Sequence, residues 1–172
     1  MSCPVRIPAL ATLLFLTIAQ AAGAAPLQAA PRARADVILV HPLSLARIAD
    51  MDFATLGVTT GGTATIDPVS GAMTVSAGLQ HLAGTPSPAR YVGAALRKTV
   101  VNIKIPKQPV LIRPVGGTET LTLSNFTLDG QDKKALAQQT SFTFAIGAQL
   151  SVPAGTVAGI YVGDLDVTVQ YP

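Results

Sequence analysis

Residues 161–171 alternate with period two. Tyr161, Leu165, Val167, Val169 and Tyr171 fall at odd positions, and Asp164, Asp166, Thr168 and Gln170 at even ones. In a strand, successive side chains point to opposite faces, so this segment is predicted to be a strand with one apolar and one wet face. The same pattern recurs at 142–152. There Phe142, Phe144, Ile146, Ala148, Leu150 and Val152 share one face, against Thr143, Gln149 and Ser151. No comparable stretch repeats at the helical period. The constraint is strong: such a chain must bury one face of several short strands.

Further β-prone runs lie at 100–105, 110–113 and 119–128. In the last, Leu121 and Leu123 are out of phase with Phe126 and Leu128, so a bulge or strand break is expected near Asn125. Residues 62–67 and 72–76 flank the turn-rich Pro68-Val-Ser-Gly71, which predicts a β-hairpin. Residues 132–139 contain helix formers but directly follow Asp129-Gly130. They are read as a loop with at most a single helical turn. Seven or more short strands without interleaved helices indicate an all-β fold, an antiparallel β-sandwich forming one domain over 37–172.

The N-terminal segment is organised differently. One basic residue, Arg6, precedes an uncharged apolar stretch from Ile7 to Ala22, followed by the small residues Ala22-Gly23-Ala24. This layout predicts a signal peptide over 1–24, cleaved after Ala24. The apolar run, about 16 residues, is shorter than the ~20 that span a bilayer. No later stretch has spanning length, so no transmembrane segment is expected after cleavage. Secretion to the periplasm or the bacterial cell surface is the expected location. Residues 25–36 are small and punctuated by proline, and read as a flexible leader. The single cysteine, Cys3, leaves with the signal peptide. The mature domain therefore has no disulfide, and packing alone must hold it together.

Composition narrows the function. The formal charge is +3, only 12% of residues are charged, aromatics make up 5%, and tryptophan is absent. Outside Arg97-Lys98 and Lys133-Lys134 there is no basic cluster, which argues against nucleic-acid binding. The two histidines, His41 and His81, are isolated, too few for a typical zinc site and accompanied by no nucleophile motif. Two carboxylate pairs, Asp50 with Asp52 and Asp129 with Asp132, are too small to hold calcium alone. No catalytic residue, metal or cofactor is expected, and the chain is read as a non-enzyme.

Residues 37–45, Val-Ile-Leu-Val-His-Pro-Leu-Ser-Leu, form a strongly apolar stretch directly after the leader. Val37, Leu39, Leu43 and Leu45 share one face, interrupted by His41, and Pro42 favours a sheet edge. Two readings stand. The segment is the first strand of its own domain, or it is a donor strand that completes a neighbour's sheet by strand addition.

Several blocks carry a family resemblance: Pro42-Leu-Ser-Leu45, Met51-Asp-Phe-Ala-Thr-Leu56, Gly62-Thr-Ala-Thr-Ile-Asp-Pro68, Gly159-Ile-Tyr-Val-Gly163 and Val167-Thr-Val-Gln-Tyr171. Together the blocks resemble a bacterial exported family catalogued as domain of unknown function 4402. Members look like relatives of chaperone–usher pilins and spore-coat-U-type subunits. The resemblance implies an immunoglobulin-like β-sandwich without catalytic residues. It also makes Tyr171 similar to the C-terminal aromatic by which pilin subunits engage a periplasmic chaperone. Departures from the pilin pattern are the missing domain disulfide and the absence of glycine between Ala25 and Phe53.

The function expected is a structural subunit of a surface or pilus-like assembly, associating with itself or with other surface subunits through β-strand complementation. The alternative is a monomeric periplasmic or cell-surface binding module for glycans.

Overall fold

The computed structural model describes residue 37 and residues 42–172. The predicted signal peptide 1–24, the leader 25–36, Leu39 and His41 lie outside these residues. The chain divides into two units, Met1–Ile38 and Leu39–Pro172, and the β-domain is the second.

Thirteen strands and no helix are found among the described residues. In chain order they are β1 (Ser44–Ala49), β2 (Thr55–Val58), β3 (Gly62–Ile66), β4 (Met73–Val75), β5 (Leu79–Ala83), β6 (Ala89–Ala94) and β7 (Thr99–Lys104). Then come β8 (Val110–Pro114), β9 (Leu121–Leu128), β10 (Lys133–Leu136), β11 (Ser141–Val152), β12 (Tyr161–Val162) and β13 (Thr168–Gln170). The larger sheet runs β1-β6-β11-β9-β8-β12, with β3 and β4 attached through β11. A second sheet has the order β10-β7-β13, and β2 pairs with β5. Every ladder is antiparallel. The fold is an all-β antiparallel sandwich.

β11 organises the molecule. Its six alternating apolar residues from Phe142 to Val152 are all buried, because the strand has partners on both sides. Along one side, β6 pairs with Ser141–Ile146 and β3 with Gln149–Val152; the other side carries β9. Gly147 lies where the first side changes partner. A Cβ there would collide with the Ile66 carbonyl oxygen, so the crossing of β3 against β11 needs glycine.

The expected bulge is present. Gly147 pairs with Thr127 and Gln149 with Ser124, so Asn125 and Phe126 oppose Ala148 alone. Asn125 takes φ 49° and donates its side-chain amide to Gln149 Oε1 at 2.6 Å. The extra residue restores the phase, letting Phe126 and Leu128 pack against the core that Phe144 occupies. The β3–β4 hairpin also forms, with Ala64 opposite Val75 and Ile66 opposite Met73.

Two cores result. One gathers Tyr91 from β6, Val101 and Ile103 from β7, Leu136 from β10 and Phe142, Phe144 and Ile146 from β11, joining the two sheets. The three aromatic rings stack, with Tyr91–Phe144 centroids 5.2 Å apart and Phe142–Phe144 6.2 Å apart. The other core is smaller, with Ala64, Leu79, Ile112, Leu121, Leu150 and Val152.

Three expectations need correction. Residues 132–139 contain a strand, not a loop or helical turn: β10 pairs with β7 and buries Leu136, so tertiary pairing overrides local helix propensity. The predicted strand 161–171 is split. β12 joins β8 in the large sheet and β13 joins β7 in the second, with 163–167 in no ladder. The break begins at Gly163, whose Cα lies so close to Ile112 that a Cβ would collide with it. Finally, of the predicted strand 37–45 only residue 37 and residues 42–45 are described: among these, Ser44 and Leu45 lie in β1, which runs on to Ala49, and Val37, Pro42 and Leu43 lie in no strand. Proline without an N–H is a natural boundary there.

Candidate functional site at the sandwich edge

Among the described residues β1 is held by one neighbour only. Its ladder to β6 runs from Ser44↔Ala94 to Ala49↔Arg90, and among those residues its other side is a sheet edge. The register slips between Arg47 and Ala49, leaving Ile48 as an unpaired bulge residue, 60% exposed. β13 is likewise an edge, attached to β7 through Thr168↔Lys104 and Gln170↔Asn102. No ladder joins β1 to β13 among the described residues.

The two edges share one core. Leu43 and Leu45 on the β1 side are half-buried against the aromatic cluster, as are Leu165, Val167, Val169 and Tyr171 on the β13 side. They meet where the Tyr171 hydroxyl donates to the Pro42 carbonyl oxygen across 3.5 Å, a long and weak hydrogen bond. Below them, Gly93 lies opposite both Leu45 and Phe142. Any Cβ at 93 would run into the Phe142 ring, so glycine lets that ring lie flat under the edge.

The structure thus brings together Leu43, Leu45 and Tyr171 of the predicted assembly residues. Val37 is 80% exposed, and Leu39 lies outside the described residues. Sequence reasoning missed Ile48, because a bulge that expels an apolar side chain leaves no local signature. It also took Leu165, Val167 and Val169 for ordinary strand-core residues without placing them at an edge.

The charged groups near this edge are sparse. Arg47 and Asp50, both exposed, form an ion pair three residues apart. Beneath them, burial pushes the Tyr91 hydroxyl pKa up; the Arg47 charge pulls it down and the Asp50 charge pushes it further up. Asp52 Oδ1 accepts from the Ala54 N–H at 2.7 Å, the role of a turn residue. Among the described residues no group of three or more His, Cys, Asp or Glu could hold a metal ion. His81 sits exposed on β5, its Nε2 3.2 Å from the Gly84 carbonyl oxygen. Chemically, the arrangement offers backbone groups with no ladder partner among the described residues beside a half-buried apolar row, which suits strand addition.

A family model described as Domain of unknown function (DUF4402) matches residues 43–171. The chain belongs to the DUF4402 family. The match begins at Leu43 and ends at Tyr171, so it takes in both edges and stops one residue short of Pro42, the acceptor of the contact between them. No curated protein and no solved structure matches the chain.

Proposed function

We propose that this DUF4402 chain is an exported, non-catalytic structural subunit of a surface or pilus-like assembly, joined to its neighbours by β-strand complementation. The domain on this reading is an immunoglobulin-like sandwich, a relative of chaperone–usher pilins and spore-coat-U subunits. The observation that carries the reading is the β1 edge. Among the described residues a short strand, bulged and held by a single ladder, carries Leu45, with Leu43 just before it, and both leucines are only half-buried against the core.

In the monomer these leucines rest on their own domain. In the assembly, Leu43 and Leu45 leave that edge and, together with Val37 and Leu39, occupy the equivalent edge of the next subunit, as in strand exchange between identical protomers. Tyr171, next to Pro42, is then the contact that a periplasmic chaperone covers before assembly. The apolar leader-proximal segment and the three-part N-terminal sequence support export of the chain.

The test is to express the full chain in a bacterial host with its export pathway and run the extract on a denaturing gel, heated and unheated. A ladder of oligomers that collapses on boiling is expected. The double variant Leu43→Ser/Leu45→Ser loses the ladder while circular dichroism still reports a folded β domain. A single monomer band in both lanes of the parent protein would overturn strand complementation.

A further inference from the structure

Away from the β1–β13 edge, the β3–β4 hairpin and the segment joining β5 to β6 enclose an open cleft of about 460 Å³. That volume is within the range of small-molecule sites, roughly 300–1,000 Å³. Arg90 contributes nitrogen donors, His81 a ring nitrogen and Thr85 a hydroxyl; Met73, Pro86 and Pro88 supply apolar wall. None of the lining residues is a carboxylate. The ion pairs of the described residues are Arg47–Asp50 and Lys134–Asp129, so Arg90 belongs to neither.

The walls are fixed by their own hydrogen bonds. Asp67 Oδ1 accepts from the Val69 and Ser70 N–H groups at 3.0 and 2.7 Å and from the Ser70 hydroxyl at 2.8 Å, which locks the hairpin turn. On the opposite wall, Ser87 exchanges two backbone hydrogen bonds with Asp52, each 2.9 Å. The Ser70 hydroxyl is therefore committed to the turn, and the Ser87 hydroxyl donates to the Asp50 carbonyl oxygen at 3.3 Å. Arg90 and Thr85 remain as the polar groups to meet a ligand, together with the Nδ1 of His81, whose Nε2 is taken by the Gly84 carbonyl oxygen.

From this set we infer that the cleft binds a carboxylate-bearing saccharide. A guanidinium fork suits a carboxylate, donating to both oxygens in a planar pair of hydrogen bonds. His81 and Thr85 suit ring hydroxyls, and the proline and methionine walls suit the C–H faces of a sugar ring. Nothing aromatic lines the cleft apart from the His81 imidazole, so a stacked nucleobase has no broad platform there. The site is independent of strand complementation and would serve a subunit or a monomer equally.

The experiment is calorimetric titration of the full exported chain with a uronic-acid tetrasaccharide. Comparators are the same saccharide with its carboxylates reduced to alcohols, inorganic sulfate, and a tetraglutamate peptide. The acidic saccharide is expected to bind about tenfold or more tightly than each comparator. Arg90→Gln weakens it by about tenfold, and Arg90→Lys falls between, since a point charge replaces the fork. Lys107→Gln, at an exposed position outside the cleft, leaves binding unchanged. Arg90 is exposed, so equal thermal midpoints for the variants are expected to show that folding is intact. No binding, equal loss in Lys107→Gln, or equal affinity for sulfate, peptide or the reduced saccharide would each overturn the assignment.

Discussion

Two segments with the same sequence pattern end up in opposite circumstances. Residues 142–152 and 161–171 both alternate apolar with polar, and both keep their inward and outward faces. The first becomes β11, paired on both sides, with all six alternating apolar residues buried. The second breaks into β12 and β13 on different sheets, and its apolar residues are only half-buried. Alternation therefore specifies which side of a strand faces the core. It does not specify how many neighbours the strand will have, and the number of neighbours sets how completely that face is covered.

The sharpest way to break this comparison is to truncate one apolar residue in each segment. Phe144, 1% exposed and stacked between Tyr91 and Phe142, should cost about 3–5 kcal/mol as Phe144→Ala. Val169 on β13 is half-buried, and Val169→Ala should cost about 1 kcal/mol. Urea denaturation of both variants measures the pair. Similar losses would mean that the β13 edge is as closed as the centre of the sheet, and the assembly reading would lose its motive.

A second measurement probes how the central strand supports the edge. Gly93 lies between Leu45 and Phe142 with no room for a Cβ. Gly93→Ala must push the Phe142 ring aside, an overpacking that costs about 1–3 kcal/mol. Because Leu45 is opposite the same residue, the variant should also loosen β1. Hydrogen exchange at Leu45 and Arg47 is expected to quicken more than at Thr168 and Gln170 on β13. Equal quickening at the two edges would mean that β1 and β13 open together as one unit.

Much of the β11 neighbourhood was legible in the sequence, for a local reason. The 142–152 alternation, the hairpin around Pro68–Gly71 and the phase slip at Asn125 are each written within a dozen residues. What was not legible depends on non-local pairing. β6 presents Ala89, Tyr91 and Gly93 inward and Arg90, Val92 and Ala94 outward, a contrast too faint to read because two of its three inward residues are small. β10 is built from helix formers and is a strand only because β7 lies beside it. The edge site shares this limit: Leu43, Leu45 and Tyr171 could be singled out one by one, but their meeting at Pro42 spans the length of the domain. The Arg90 cleft was less visible still, since its polar groups come from β5, β6 and the loop between them with no motif to join them.

The smallest expected effect concerns the turn between β3 and β4. The Asp67 carboxyl is held below its ordinary pKa of 3.8, chiefly by the Ser70 N–H, with the Ser70 hydroxyl and the Val69 N–H adding to it and desolvation opposing. A carboxyl depressed by folding adds stability that is fully present above its unfolded pKa and lost as pH falls through the folded one. Asp67→Asn retains an oxygen acceptor for the same donors but removes the charge that strengthens them. The parent should therefore have the higher thermal midpoint near pH 6, with the difference shrinking as pH drops below the ordinary aspartate value. Since Asp67 is exposed on the turn, solvent screening keeps this difference well under that of Gly93→Ala. A gap that persists unchanged at pH 2 would assign the effect of Asp67 to the geometry of the hairpin and not to its charge.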